Sequence, residues 1–90
     1  MTADELARLF METGRHHHEA FAESDGADPE WALWYASYLQ TRLWDKLGRL
    51  LTRSEIVYLL VSSDLEVKAK RVAEWPPLYA KRFLEFAAEG

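Results

Sequence analysis

Apolar residues recur along this chain at three- and four-residue steps in four stretches, the spacing that places side chains on one face of a helix. In the first stretch Leu6, Leu9, Phe10, Thr13, His17, Ala20 and Phe21 share such a face. Thr2 and Glu5 precede it as a T-x-x-E capping box, in which each side chain satisfies an orphan amide at the helix start. Gly14 interrupts the face at a cost of about 1 kcal/mol relative to Ala, so it marks either a close helix crossing or a weak point. The periodicity breaks at Ser24-Asp25-Gly26-Ala27-Asp28-Pro29. There Asp28 suits an N-cap, Pro29 the first helical position and Glu30 the positive end of the helix dipole.

The second stretch runs from there to Leu47, with Gly48 as its expected stop. It carries two apolar faces. Trp31, Trp34, Tyr35 and Tyr38 form one, continued by Arg42, while Ala32, Ala36, Leu39, Leu43 and Leu47 form the other. A helix apolar over this much of its circumference belongs inside a bundle or at an interface.

A second capping box, Thr52 to Glu55, launches the third stretch through Ile56, Leu59, Leu60, Ser63 and Val67. It either persists to about Ala73 or restarts at Ser62-Ser63-Asp64, whose short side chains cap helices readily. Trp75-Pro76-Pro77 should end it, because proline disfavours helical geometry in the residue before it. A fourth stretch then carries Leu78, Tyr79, Phe83, Leu84 and Phe86. The pattern predicts an all-α fold, a small four-helix up-and-down bundle occupying 1–90 as a single domain, with helices near 3–22, 29–47, 53–73 and 77–88.

One internal echo stands out. Glu30-Trp31…Tyr35-Ala36 and Glu74-Trp75…Tyr79-Ala80 both read E-W-x-x-x-Y-A. Both fall at an expected helix start, and two copies are too few for a solenoid, so a shared way of anchoring a helix is the simpler account.

Composition narrows the class. The chain is 49% hydrophobic, enough to build a core and to exclude intrinsic disorder. It has no Cys, which removes disulfides and thiolate metal sites. No apolar run is long enough to cross a bilayer, and the N-terminus lacks the basic and apolar regions of a signal peptide, so a cytoplasmic protein of bacterial type is expected. The net charge of −4 is uneven: residues 1–30 carry eight acids against Arg8 and Arg15, whereas the remainder is mildly basic. That asymmetry suits internal or intersubunit complementarity. Arg42, Lys46, Arg49 and Arg53 are the nearest approach to a basic stripe, too sparse on an acidic chain to expect nucleic acid.

Candidate chemistry centres on His16-His17-His18. Consecutive helical residues point about 100° apart, so the three cannot chelate one ion together. His17 falls on the apolar face, where it needs a partner, for which a Tyr hydroxyl from the second helix or a carboxylate such as Asp45 would serve. His16 lies on another strip with Glu12 and Glu19, at spacings that could hold a cation but that more simply describe a solvated acidic face. Asp25 and Asp28 lack the spacing of a calcium loop and read as a capping turn. No nucleophile elbow, phosphate loop or dinucleotide fingerprint is present, and no cofactor is implied.

The run His16-His17-His18-Glu19-Ala20-Phe21, then Asp25-Gly26-Ala27-Asp28-Pro29-Glu30-Trp31-Ala32-Leu33-Trp34-Tyr35-Ala36, and later Leu51-Thr52-Arg53-Ser54-Glu55, resembles a pattern in short uncharacterised bacterial proteins. The resemblance covers about the first two thirds of the chain and is most specific over D-P-E-W-x-x-W-Y-A. It implies a natural bacterial helical protein and carries over no catalytic role.

Two functions fit these residues. The leading one is a non-enzymatic interaction module, a homodimer or the partner of another protein, using Trp31, Trp34, Tyr35 and Tyr38 with the acidic first helix. The other is a small ligand-binding protein or enzyme with a pocket centred on His17, lined by Tyr35, Tyr38 and Arg42.

Overall fold

The computed structural model of the chain describes residues 2–43, 47 and 49–89. Four helices follow one another: α1 (Ala3–Ala20), α2 (Trp31–Leu43), α3 (Arg53–Lys70) and α4 (Trp75–Glu89), with a short 3-10 turn, Ala22–Ser24, after α1. The described residues contain no strand. Each helix packs against its neighbours in sequence, and α1 also packs on α4, which closes an up-and-down bundle. No described helix is long and apolar enough to cross a membrane.

Both capping boxes form. Thr2 Oγ1 accepts the Glu5 amide while Glu5 reaches back to the Thr2 amide, and Thr52 and Glu55 repeat the arrangement on α3. Each satisfies two of the amides that a helix start leaves without partners. α3 is continuous through Ser62 and Ser63, and neither serine begins a new helix. Ser62 Oγ donates to the Leu59 carbonyl and the buried Ser63 hydroxyl accepts from Arg82.

α3 stops at Lys70, earlier than the expected Ala73, because Arg71 takes the left-handed conformation at φ 53°. The Val72 amide then bonds the Val67 carbonyl at 3.1 Å, closing a Schellman-type cap. α4 starts at Trp75, two residues before the expected 77. Pro76 and Pro77 sit inside its first turn, where a missing amide proton costs nothing. α1 likewise ends before residue 22, and the chain tightens into the 3-10 turn. The expected helix stop at Gly48, the carboxylate of Asp45 and the basic Lys46 lie outside the described residues.

The core is continuous. Leu6 and Phe10 of α1, Ala36, Leu39 and Leu43 of α2, Ile56, Leu59 and Leu60 of α3, and Ala80 and Phe83 of α4 are all buried. Phe10 meets Tyr79 and Phe83 edge-to-face at 5.7 and 4.9 Å, so one ring ties α1 to two turns of α4.

The halves of the bundle share a plan. α1 and α3 are each 18 residues long and begin with the same capping box. They bury matching positions: Leu6 and Ile56, Phe10 and Leu60, Thr13 and Ser63. α2 and α4 each begin at the Trp of the E-W-x-x-x-Y-A segment and bury its Ala, Ala36 and Ala80. The chain is thus two similar helical hairpins, and the echo in the sequence is the part of that similarity visible at the level of residue identity.

Candidate functional site, a cleft between the two hairpins

Asp28 is the residue from which the site is built. Its Oδ1 accepts the Glu30 amide at 3.0 Å and its carbonyl accepts the Trp31 amide, so it caps the turn that leads into α2, which begins at Trp31 and not at the expected Pro29. Its other oxygen, Oδ2, lies 3.0 Å from Nε2 of His17. Both side chains are only 9% exposed, which makes this a shielded pair and not a surface ion pair. The partner of His17 is therefore the capping Asp28, and not a Tyr hydroxyl. The tyrosine contributes its ring instead, with Tyr35 5.2 Å from the imidazole, alongside Trp34 at 5.2 Å and Phe21 at 4.9 Å.

His17 and Asp28 form one side of a cleft of about 370 Å³. Trp31 and Tyr35 continue that side from α2, and Asp64, Lys68, Trp75 and Tyr79 supply the other from α3 and α4. Each E-W-x-x-x-Y-A segment thus contributes its Trp and its Tyr to the same space. Within each segment the two rings meet edge-to-face: Trp31 and Tyr35 at 5.4 Å and 87°, Trp75 and Tyr79 at 4.7 Å and 67°. Rings set nearly at right angles make a corner, and two corners line this cleft.

Asp64 organises the second side much as Asp28 does the first. Its Oδ1 accepts the Tyr79 hydroxyl at 3.4 Å and its Oδ2 lies 2.9 Å from Lys68 Nζ. Burial, followed by the negative charge of Asp64, holds the Tyr79 phenol well above its ordinary 10.0, with Tyr35 adding to the effect. Burial also raises Tyr35. Both phenols are neutral donors at physiological pH.

The hairpin similarity extends to these tyrosines, with one substitution. Asp64 occupies on α3 the place that Gly14 occupies on α1. A Cβ on Gly14 would stand 3.3 Å from the Tyr35 hydroxyl and 3.4 Å from Trp75. Gly14 is therefore a close crossing: it leaves room for Tyr35 where its counterpart offers Tyr79 a carboxylate.

The remaining candidates separate. Trp34 and Tyr38 line a neighbouring groove of about 510 Å³ with Phe21, Leu33 and Ser37. They are stacked at 5.4 Å and 13°. Arg42 lies over the far face of that stack, 3.6 Å from the Tyr38 centroid, and donates to the Tyr38 carbonyl at 2.7 Å. It therefore extends the stack and does not line the His17 cleft. The aromatic surface of α2 is half-buried within the monomer, and none of Trp31, Trp34, Tyr35 and Tyr38 is among its exposed large apolar residues.

His16 lies 3.9 Å from both Glu12 and Glu19. No cluster of three or more His, Asp, Glu or Cys side chains suited to a metal ion forms among the described residues. Arg49 donates to the Phe86 carbonyl and to Glu55, so one member of the sparse basic stripe is committed internally.

Asp64, Lys68, Trp75 and Tyr79 were not singled out as site residues on sequence grounds. The signal for two of them was present in the echo, whose paired Trp and Tyr face one another across a shared space. No known protein family, curated protein or solved structure matches this chain.

Proposed function

We propose that this protein is a small-molecule binding module whose site is the cleft between its two hairpins. The observation that carries this is the convergence of Trp31, Tyr35, Trp75 and Tyr79 with the His17–Asp28 pair and Asp64 on one concavity. A few placed polar groups among aromatic walls is the composition of ligand pockets, and about 370 Å³ is within their usual range. No catalytic step is assigned. His17 is held by Asp28, but nothing beside it has the character of a nucleophile, and Tyr79 and Tyr35 keep their protons.

The test is a titration with phenol, a neutral ring of a size suited to the cleft, followed by NMR. The indole N–H signals of Trp31 and Trp75 and the His17 ring should shift together and saturate. Shifts spread over the surface, or confined to Trp34 and Tyr38, would overturn the assignment.

Self-association is a second reading, supported by a different surface. Tyr58, Val61 and Leu65 follow one another at three- and four-residue spacing on α3 and are 60%, 41% and 63% exposed. An apolar stripe of this kind is a common mark of a protein contact. It favours a homodimer through α3 over one through the α2 aromatics. Sedimentation equilibrium of the protein and of Leu65→Lys decides it: a dimer that the substitution dissociates supports the reading, and a monomer at high concentration ends it.

A further inference from the structure

We infer that the cleft selects a small alkylated ammonium ion, a free organic cation whose nitrogen carries methyl or alkyl groups in place of N–H. This rests on the small-molecule reading above and adds the class of ligand.

Charge supplies the first argument. Asp28 and Asp64 both line the cleft, against the single ammonium of Lys68, so two carboxylates from opposite sides of the space are available to a cation. Ring faces are the negative side of an aromatic quadrupole and attract cations within about 6 Å of their centroids. Two Trp–Tyr pairs, one from each hairpin, line the cleft with their rings set at 87° and 67° within each pair, so ring surface borders it in more than one orientation.

Hydrogen bonding supplies the second. All four oxygens of the two carboxylates already have partners. Asp28 Oδ1 accepts from the Glu30 amide and Oδ2 meets His17, while Asp64 Oδ1 accepts from Tyr79 and Oδ2 meets Lys68. Each oxygen keeps further lone-pair capacity, but a guest that donates to it must share it with a partner already in place. A primary ammonium brings three donors, which lose water and must share these acceptors with His17, the Glu30 amide, Tyr79 and Lys68. A quaternary or tertiary alkylammonium has few or none to satisfy and gives its methyl groups to the rings.

Lys68 supplies the third. Its side chain is 73% exposed, and it places the chain's own cation on Asp64 at the rim of the cleft. An arriving cation competes with that ammonium for the field of Asp64, so Lys68 acts as a tethered, low-affinity competitor.

Choline, its neutral isostere 3,3-dimethylbutan-1-ol and phosphatidylcholine vesicles form the experiment, read by the Trp31 and Trp75 indole signals and by vesicle sedimentation. Choline should bind in the cleft about tenfold more tightly than the isostere. Asp64→Asn should weaken choline more than the isostere, and the exposed Lys68→Gln should tighten choline. Equal binding of choline and isostere at these indoles overturns the cation assignment while leaving a small-molecule cleft in place. Silence of the indoles toward choline, the isostere and phenol alike overturns both. Sedimentation with vesicles without a response to free choline overturns the assignment to a free cation.

Discussion

His17 and Asp28 meet at 3.0 Å between Nε2 and Oδ2, and that contact ties the last turn of α1 to the start of α2. Because Asp28 also caps the approach to α2, one carboxylate fixes both the connection and one side of the cleft. Asp28→Ala removes a helix cap and leaves a shielded imidazole without its acceptor. The expected loss is about 2–4 kcal/mol, against a few tenths for an ordinary surface change. Asp28→Asn keeps an acceptor for the Glu30 amide and should cost clearly less. Urea denaturation of both variants checks this, and an Asp28→Ala protein as stable as the parent would refute the double role.

Much of this architecture was legible in the sequence because it is local. Capping boxes at Thr2 and Thr52, and the cap at Asp28, are set by residues within three positions of one another. α4 starts earlier than the terminating effect of Pro76 and Pro77 on the preceding helix implies, because the two prolines occupy the one turn that tolerates them. The left-handed stop at Arg71 has no glycine to announce it. The site was half legible. The His17, Trp31 and Tyr35 side followed from one helical face and the next, but Asp64 and Lys68 reach it only through the closure of the bundle, which no periodicity encodes.

Alkaline stability depends on Tyr79. Its phenol is held well above 10.0, so the folded protein keeps that proton when the unfolded chain releases it. The contribution is complete below about pH 10 and is lost as pH rises through the folded value. Tyr35 acts in the same direction. Tyr79→Phe removes the titrating group, so its stability should fall less steeply above about pH 10 than that of the parent. Denaturant midpoints measured across the alkaline limb test this, and parallel curves for the two proteins would count against it.

At the acid end the relevant group is Glu55. The backbone hydrogen bond at Thr52 is the leading cause that lowers its carboxyl below the ordinary 4.5, with Arg49 assisting. A lowered value means stability that is present above about pH 4.5 and is lost as pH falls through the folded value. Glu66, lowered chiefly by Lys70, behaves likewise. Glu55→Gln retains an acceptor for the capping box but has nothing to protonate. It should be less stable than the parent at neutral pH, and the gap should narrow on acidification. A gap that stays constant down to pH 3 would show that the charge of Glu55 does not matter.

Arg71 offers the clearest opportunity to stabilise the chain. It holds φ 53° at the end of α3, and a side chain in the left-handed region costs roughly 1 kcal/mol relative to glycine. No hydrogen bond or ion pair of its side chain is seen among the described residues, so the strain is not offset by a contact there. Its backbone amide closes the cap on Lys68 and Val67, and glycine would preserve that bond. Glycine also loses more freedom on folding, which returns part of the gain. The net expectation for Arg71→Gly is a stabilisation of about 0.5 kcal/mol, visible as a higher denaturant midpoint with an unchanged slope. Arg71→Val should go the other way and cost more than 1 kcal/mol, because branching at Cβ makes the left-handed region still less accessible. If valine were tolerated as well as glycine, the cap would have to end α3 by some route other than this backbone conformation.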